Sequence, residues 1–467
     1  MAKLRLRGKD LRKIRFPNGP AKSLALTIVA KHFRHLKKQE AIDLLVDLLA
    51  DPTKYAEQEH LKQIVDALQK RKGSDKAEIA LRPNVEPYKV YGIKNIEEGA
   101  HQQMETAMRL PVAVSGALMA DAHHGYGLPI GGVLATENAV IPYGVGVDIG
   151  CRMCLSIFDL PAQKLVEERS YFRQLLEDNA RFGYNSFDDP MDDPVLARKE
   201  FKEIPIVRSL KDRAYKQIGS SGSGNHFVEF GIVNIEDPEN EWKLPTGEYL
   251  GLLSHSGSRG LGANIARHYT KVAMEQCLLP KEAKHLAWLS LDSEEGMEYW
   301  LAMNLAGDYA SACHHHIHRR MSHSLGLPPL TMVENHHNFA WKELQADGRE
   351  LIVHRKGATP AQKGVLGIIP GSMTAPGYIV RGKGDPESLS SASHGAGRRM
   401  SRTKARQNIH AKELKRFLQD QGVTLIGGGL DEAPMAYKDI REVMAAQSAL
   451  VDVVGTFLPR IVRMDKA

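Results

Sequence analysis

Residues 144–158 read GVGVDIGCRMCLSIF, a short apolar run that glycines interrupt. The same pattern of short apolar runs and glycines recurs in residues 127–135 (GLPIGGVLA), 251–262 (GLLSHSGSRGLG) and 364–373 (GVLGIIPGSM). Such runs are typical of strands joined by loops that carry functional side chains. Apolar residues at helical spacing interrupt this pattern at residues 163–179, 262–275, 294–323, 404–421 and 440–454. Because strands and helices do not alternate regularly, the sequence predicts an α+β fold of mixed sheets surrounded by helices.

A different pattern precedes these runs. From about residue 23 to residue 72, apolar residues recur near helical spacing with Lys and Glu between them. Residues 69–84, QKRKGSDKAEIALRPN, are charged and broken by Gly and Pro, as domain boundaries often are. The sequence therefore predicts a helical N-terminal extension over residues 1–73 and one large domain over residues 74–467.

Composition sets the class of protein. The 467 residues are 42% hydrophobic and 25% charged, which is typical of a globular chain. The net charge of +6 permits an anionic partner without requiring one. Four cysteines are too few for a disulfide framework, and no apolar run is long enough for a signal peptide or a membrane span. We therefore expect an unexported protein of the cytoplasm.

The loop that follows residue 144 carries two metal-ligand types. Asp148 and Cys151 are three residues apart between glycines, and Gly150 makes a turn between them inexpensive. A carboxylate and a thiolate at this spacing can reach one ion. Cys154 follows at the spacing of a zinc knuckle, but the second half of that motif is missing.

Further ligands must come from distant loops. Histidines stand in other Gly-rich or polar loops: His226 in GSGNHF, His255 in SHSGSRG, and His336 or His337 in ENHHNF. Each alone is more typical of a hydrogen-bonded structural histidine, whereas together they indicate a metal site. Asp121, His123 and His124, in DAHHGYG, have two open interpretations. They are either direct metal ligands or part of a loop that orients the neighbouring metal ligands or merely holds a turn.

Two other patterns carry less information. Residues 313–321, CHHHIHRRM, place His314 and His318 on one helical face, and we interpret that face as an exposed basic surface rather than a metal site. Neither a P-loop nor a GxGxxG turn opening a helix after a strand is present. The sequence therefore argues against P-loop NTPases and dinucleotide-binding dehydrogenases.

Residues 388–402, SLSSASHGAGRRMSR, set His394 in Gly-rich backbone ahead of three arginines. Small residues let backbone N–H groups close on a phosphate, and arginines can neutralise it. An imidazole in this position can attack phosphorus, which indicates phosphoryl or nucleotidyl transfer. On the local pattern alone, a Gly-rich surface turn with a solvated histidine stays an equal alternative.

Taken in order, these segments resemble the RtcB family of GTP-dependent RNA-splicing ligases. The resemblance runs from about residue 87 to the C-terminus and excludes the helical extension. It is carried by residues 121–133, 144–153, 222–230, 255–262, 335–341, 354–361, 368–373, 388–402 and 431–439.

The resemblance implies a ligase that joins an RNA 3′-phosphate or 2′,3′-cyclic phosphate end to a 5′-hydroxyl end. His394 becomes guanylylated by GTP, and guanylate then passes to the RNA 3′-phosphate, giving an RNA-3′-pp-5′-G intermediate. Two manganese ions are implied, with the ligands Asp148, Cys151, His226, His255 and His337, and Cys151 bridges them. The softness of this ligand set alone would favour zinc.

The resemblance also implies the nucleotide contacts. These are Asn225, His226, Phe227, Val228, Glu229, His337, Asn338, Pro370, Gly371, Ser372, Met373, His394, Gly395, Ala396, Gly397 and Lys466, with Tyr437 close by. Two positions depart from the family pattern. Gly377 stands where a serine is usual, and the chain ends in Asp-Lys-Ala instead of Lys-Gly.

The implied partners are RNA ends, such as tRNA halves or cleaved RNA, and a small activating protein called archease. A set of basic residues beside the motifs could hold RNA phosphates: Arg259, Arg355, Lys356, Arg398, Arg399 and Arg402. The alternative function is a metal-dependent RNA-end phosphoesterase that does not ligate.

Overall fold

The computed structural model describes residues 6–14, 16–17, 20–72, 77–345 and 347–466. The chain falls into two compact units, Met1–Ala77 and Glu78–Ala467. The boundary expected between residues 73 and 74 lies outside the described residues. Among the helices of the described ranges, none has both the length and the apolar character needed to cross a bilayer.

The smaller unit is helical in its described part. Its helices are α1 Gly8–Lys13, α2 Pro20–His32, α3 Lys38–Ala50 and α4 Lys62–Lys72, and a 3₁₀ turn covers Pro52–Tyr55. Leu45 and Leu48 of α3 are fully buried, as are Ile64 and Val65 of α4. Residues three or four apart share a helix face, so the helices form around one apolar core.

The larger unit combines two main sheets with helices. Its strands are β1 Tyr88–Val90, β2 Ala113–Tyr126, β3 Leu128–Thr136, β4 Ala139–Val140, β5 Arg152–Phe158, β6 Phe227–Ile235, β7 Gly247–Ser256, β8 Leu289–Ser290, β9 Thr331–His336, β10 Asn338–Leu344, β11 Glu350–Lys356, β12 Ala358–Pro360, β13 Leu366–Ile369, β14 Gly377–Gly382, β15 Ser391–Ser393, β16 Thr424–Ile426 and β17 Val451–Met464. Its helices are α5 Glu98–Met108, α6 Pro142–Val145, α7 Lys164–Glu167, α8 Arg169–Asn179, α9 Glu200–Glu203, α10 Pro205–Arg208, α11 Lys211–Gln217, α12 Arg259–Gln276, α13 Glu294–Leu325, α14 Arg402–Asn408, α15 Ala411–Asp420 and α16 Ile440–Ala446.

The two sheets are mostly antiparallel. One has the strand order β1-β2-β3-β11-β10, and the other has β13-β14-β17-β6-β7-β5-β9 with β16 beside β17. Apolar side chains cover both faces of the second sheet, with Phe230 in one hydrophobic cluster and Leu253 in another. Such two-sided burial explains why its strands read as apolar runs instead of alternating patterns. The predicted α+β class is confirmed.

The chain passes directly from one sheet to the other at a single residue. Strand β9 ends at His336 and strand β10 begins at Asn338, so His337 lies at the crossing between the sheets. The backbone N–H groups of Gly357 and Ala358 both donate to the carbonyl oxygen of His337. The backbone at this crossing therefore determines the position of His337, a predicted site residue.

The predicted helices differ in how closely they match the observed ones. The segment predicted over residues 294–323 is α13, whereas the segment 404–421 is two helices, α14 and α15. The segment 440–454 was wrong in its second half, because α16 ends at Ala446 and β17 begins at Val451. Val451, Val453 and Val454 are β-branched, and they favour the strand.

Gly150 makes the turn that was expected between Asp148 and Cys151. Its φ is +69°, in the left-handed region, and the N–H of Cys151 donates to the carbonyl oxygen of Asp148. An added Cβ at Gly150 would lie 2.8 Å from Cα of Gly307 in α13. Backbone conformation and close backbone approach therefore both require glycine here.

Replacing Gly150 by alanine should lower the free energy of unfolding by about 2–5 kcal/mol, because left-handed strain and overpacking add. Gly364 is a matched control: its φ is +80°, and nothing lies within 4 Å of an added Cβ. Gly364→Ala should cost about 1–2 kcal/mol through strain alone. Urea denaturation of both variants measures the difference, and equal losses would show that contact with Gly307 contributes nothing.

Candidate active site

Four predicted ligands lie at the ends of neighbouring strands in the larger sheet. Cys151 precedes β5, His226 precedes β6, His255 lies near the end of β7, and His337 follows β9. In the sheet register His255 pairs with both Met153 and Phe227, so these positions lie side by side. Asp148 joins them through the Gly150 turn.

The ligand atoms form two groups that share the thiol of Cys151. Its Sγ lies 3.1 Å from Nε2 of His255, which lies 3.3 Å from Nε2 of His337. On the other side, Sγ lies 3.3 Å from Nε2 of His226, which lies 2.8 Å from Oδ2 of Asp148. The structure therefore brings all five predicted metal ligands together.

The hydrogen bond on the far side of the His255 ring determines what this ring offers to the cluster. Nδ1 of His255 donates to the carbonyl oxygen of Asn225 at 3.0 Å. Burial lowers the pKa of His255 to about 3, and the neighbouring His226 adds to this effect. A neutral ring that carries its proton on Nδ1 has a bare lone pair on Nε2. This lone pair faces Cys151 and His337, as a metal ligand requires.

The acidic members of the cluster need a cation nearby. Burial raises the pKa of the Cys151 thiol well above its usual value, and the adjacent Asp148 raises it further. Burial also opposes ionisation of Asp148, but His226 outweighs it and holds the pKa of this carboxyl below its usual value. A buried thiolate beside a carboxylate is costly unless a cation compensates both charges. The donor set therefore fits metal ions.

His394 lies beside the cluster with its ring oriented by Asp121. Nδ1 of His394 donates to Oδ2 of Asp121 at 2.7 Å, and the N–H groups of His394 and Gly395 donate to the same oxygen. The carboxylate fixes the proton on Nδ1 and leaves the Nε2 lone pair free. The ring centroids of His394 and His337 are 4.9 Å apart. An oriented histidine is thus next to the predicted metal ligands, and Asp121 supports this orientation.

A pocket opens beside His394 and gathers seven of the sixteen predicted nucleotide contacts. It is lined by Asn225, Phe227, Glu229, Pro370, Gly371, Ser372, Met373, Gly377 and Tyr437, among others. Burial raises the pKa of Glu229 well above its usual value. An added Cβ at Gly395 would lie 3.3 Å from the carbonyl oxygen of Pro370. The His394 loop therefore borders this pocket directly.

Several predicted residues lie elsewhere. The side chain of Val228 is packed in a hydrophobic cluster on the other face of β6, because side chains alternate along a strand. The amide of Asn338 is engaged with backbone, accepting from Gly357 N and donating to Asp148 O. Lys466 is exposed at the end of the described chain. His336 stacks on Phe339, so of the adjacent histidines only His337 reaches the cluster.

The prediction that residues 313–321 form an exposed basic face was wrong, because His314, His316 and His318 are buried. Nε2 of His314 donates to the carbonyl oxygen of Ser256, which can only accept. The Ser254 hydroxyl therefore donates to Nδ1 of His314 at 2.6 Å and accepts from Nε2 of His318 at 2.8 Å. The Ser156 hydroxyl completes this chain by donating to Nδ1 of His318.

This Ser/His chain is a neutral structural network. Burial lowers the pKa of His318 to about 3 and that of His314 well below its usual value, so neither ring carries a charge at neutral pH. Together with Cys154, the two rings also form a third group of possible metal ligands. Both nitrogens of each ring are already satisfied by Ser156, Ser254 and Ser256, so hydrogen bonding accounts for their burial.

The basic residues expected to hold RNA phosphates are mostly engaged within the protein. Arg355 is fully buried and bonds Glu343 at 2.6 Å, so its prediction as a phosphate contact was wrong. Arg398 donates to the carbonyl oxygen of Asp431 at 2.7 Å, and Arg402 pairs with the Asp431 carboxylate at 2.8 Å. Arg399 is exposed.

The remaining two basic residues donate to backbone carbonyl groups. Arg259 donates to the carbonyl oxygen of Gly183. Lys356 donates to those of Tyr126 and Tyr143, and burial lowers its pKa to about 7. These contacts compete with any phosphate for the same N–H groups.

A ligand cluster of this kind beside an oriented histidine is the arrangement of a metal-dependent enzyme. The tRNA-splicing ligase RtcB family matches residues 103–207 and 197–465. The chain is 34% identical to the RNA-splicing ligase RtcB of Escherichia coli K12, over 77% of this chain and 93% of that protein. It is 29% identical to the tRNA-splicing ligase RtcB of Methanococcus maripaludis, over 75% of this chain and 88% of that protein. The chain belongs to the RtcB family.

Replacing Ser254 by alanine should lower the free energy of unfolding by about 2–5 kcal/mol, because it leaves the His314 acceptor and the His318 donor buried and unpaired. Ser256→Ala is the matched control on the same strand. Ser256 is equally buried, but its hydroxyl has no hydrogen-bond partner among the described residues. Its loss should change stability by less than about 1 kcal/mol. Urea denaturation tests the pair, and equal effects would show that the Ser/His chain is not a stabilising unit.

Proposed function

We propose that the protein is a GTP-dependent RNA ligase that joins RNA 3′-phosphate or 2′,3′-cyclic phosphate ends to 5′-hydroxyl ends. The observation that carries the proposal is the Asp121–His394 pair beside the ligand cluster. It provides an imidazole whose Nε2 can attack phosphorus. Membership of the RtcB family supplies the RNA substrate, because the named relatives are RNA-splicing or tRNA-splicing ligases.

In the first step, Nε2 of His394 attacks the α-phosphorus of GTP and pyrophosphate leaves. The product is a guanylylated histidine, in which Asp121 stabilises the positive charge that develops on the ring. An oxygen of the RNA 3′-phosphate then attacks this phosphorus, which frees His394 and gives RNA-3′-pp-5′-G. The 5′-hydroxyl attacks the RNA phosphorus, and GMP leaves. A 2′,3′-cyclic end is hydrolysed to the 3′-phosphate beforehand.

In this proposal two manganese ions would be held by Asp148, His226, His255, His337 and Cys151, and Cys151 belongs to both groups of ligand atoms. The two groups around its Sγ support that assignment. When bound, the ions offset the negative charge of the triphosphate and of the phosphoryl transition states. The choice of manganese rests on the family resemblance, since a Cys/His/Asp set is also suited to zinc.

Guanine selection is assigned to Glu229. Its carboxyl lies in the pocket next to Phe227 and the turn over residues 370–373. Guanine offers two adjacent N–H donors, on N1 and on the exocyclic N2, and these would stabilise the ionised carboxylate. Adenine lacks this pair of donors. Burial alone raises the pKa of the Glu229 carboxyl, and no hydrogen bond from the described residues offsets this effect.

The physiological partners in this proposal are RNA ends, such as tRNA halves or cleaved RNA, and archease as an activating protein. Arg399 is exposed near the His394 loop and is the basic residue best placed for RNA phosphates. The alternative function, an RNA-end phosphoesterase that keeps the metal site, needs no histidine adduct. Formation of an adduct therefore separates the two functions.

With GTP and manganese, the protein should gain the mass of one guanylate, and His394→Ala should abolish this gain. The same variant should lose all joining of RNA with 3′-phosphate and 5′-hydroxyl ends, because no other group supplies the nucleophile. His323→Ala, which removes an exposed histidine from α13, is the control and should retain both. Intact-mass spectrometry and gel assays measure them. Removal of the phosphate without an adduct or joining would favour the phosphoesterase.

Cys151→Ser should weaken manganese binding by at least roughly tenfold and reduce ligation, because the shared thiolate is replaced by a neutral hydroxyl. Cys154→Ser is the control: it removes an equally buried thiol three residues away and should leave manganese affinity within about threefold of wild type. Calorimetric titration measures both, and thermal denaturation shows whether each variant is folded. Equal affinities for the Cys151 variant and the wild type would remove Cys151 from the metal site.

A further inference from the structure

Three rings form an exposed cluster at the turn between β2 and β3, which we call the aromatic platform: Tyr126, Tyr143 and His285. The ring centroid of Tyr126 lies 6.3 Å from those of both partners, and Tyr143 and His285 are 5.2 Å apart. Tyr126 is 69% exposed, although it is a large aromatic residue. The Tyr126 ring is inclined by 58° to Tyr143 and by 76° to His285, so its partners support it from the side while its own exposed face can stack on another ring.

The platform is held firmly from below. Nζ of Lys356 donates to the carbonyl oxygens of Tyr126 and Tyr143 and lies 5.1 Å from the centre of the Tyr143 ring. Gly127, at the turn, has a φ of +70°, and an added Cβ there would lie 2.9 Å from the carbonyl oxygen of His285. The backbone that presents Tyr126 is therefore packed in place.

The platform is linked to the nucleophile by two short connections. An added Cβ at Gly357, next to Lys356, would lie 3.1 Å from Cε1 of His394. Asp121, which orients His394, is on the same strand as Tyr126 and five residues earlier, a span of at most about 18 Å. None of the three platform residues lines the nucleotide pocket. The platform is therefore connected to the His394 region through Lys356–Gly357 and through β2, and it is not part of the GTP site.

The charge around the platform suits a polyanion. Arg267 and Lys284 are exposed. Burial raises the pKa of Tyr143 and Arg267 opposes that rise, which places this guanidinium near the ring. Lys284 precedes His285 in the chain. The acidic group at the hairpin, Glu97, accepts a hydrogen bond from the backbone N–H of His124. Aromatic rings interleaved with cations are typical of surfaces that bind single-stranded nucleic acid.

We propose that Tyr126, backed by Tyr143 and His285, stacks on an unpaired base at or next to the RNA end that is joined at His394. This inference rests on the proposed function, and it adds a binding surface for the RNA substrate class. Stacking is tolerant of sequence because every base has a π-face, so the platform would hold ends of many sequences.

The test uses the full chain and a short single-stranded RNA that carries 2-aminopurine, whose fluorescence falls on stacking, at its last nucleotide. One oligonucleotide has the probe at the 3′-phosphate end, and a second has it at the 5′-hydroxyl end. For one of the two oligonucleotides, Tyr126→Ala should weaken binding roughly tenfold and abolish the fluorescence quench. Tyr126→Trp should retain both the binding and the quench. Tyr215→Ala, at a tyrosine that is 43% exposed on α11, is the control.

Guanylylation by GTP separates this inference from the proposed function. Tyr126→Ala should form the adduct at the wild-type rate and lose efficiency only in RNA joining, through a raised KM. If Tyr126→Ala binds both RNAs as tightly as Tyr215→Ala does, or slows guanylylation as much as joining, the platform is refuted. If the wild type forms no adduct, the ligase proposal fails, while the fluorescence quench still decides whether Tyr126 stacks on RNA.

Discussion

The organisation of the site depends on the meeting of strand ends where the chain crosses from one sheet to the other. Cys151, His226 and His255 are side by side because β5, β6 and β7 are hydrogen-bonded neighbours in register. His337 joins them because the chain leaves β9 and enters β10 at that residue. Ligands separated by up to 186 positions in sequence are thereby fixed by backbone pairing, which is more rigid than a set of loops.

The same kind of hydrogen bond orients a proposed metal ligand, His255, and the proposed nucleophile, His394. In His255 a backbone carbonyl binds Nδ1–H, and in His394 the carboxylate of Asp121 does so. In both rings the acceptor fixes the tautomer and leaves Nε2 bare toward the centre. The difference between the acceptors matters for chemistry. A neutral carbonyl suits a ring that only donates a lone pair, whereas a carboxylate also stabilises the positive charge that a phosphorylated imidazole carries.

The sequence was sufficient to name the candidate residues of the ligand cluster. It was insufficient wherever a residue's role depends on whether its side chain is buried or exposed. Glycine-bounded motifs predicted the Gly150 turn and the candidate ligands, because these depend on local geometry and on ligand chemistry. The motifs left His336 and His337 as alternatives, and the family resemblance selected His337. The burial of His314 and His318 could not be read from their helical spacing, since only the packing of α13 against β5 and β7 determines which face is inside. The same applies to Arg355, because its sequence position beside a motif does not reveal that it is buried and paired with Glu343. Val228 is different, because alternation along β6 already placed its side chain opposite Phe227 and Glu229.

The Ser/His chain explains how the sheet edge can carry so many polar ligands and remain fixed. Alternation along β7 puts His255 on the face of the ligand cluster and places Ser254 and Ser256 on the opposite face, toward α13. There the hydroxyl and carbonyl groups of these serines are tied to His314 and His318 in one direction of donation. If any one of these hydrogen bonds ran in the opposite direction, Nε2 of His314 would carry no proton and would face the carbonyl oxygen of Ser256. The direction of donation along the chain is therefore determined. The strand is thus held from behind by neutral hydrogen bonds, which add no charge that would compete with the ligands for cations in front.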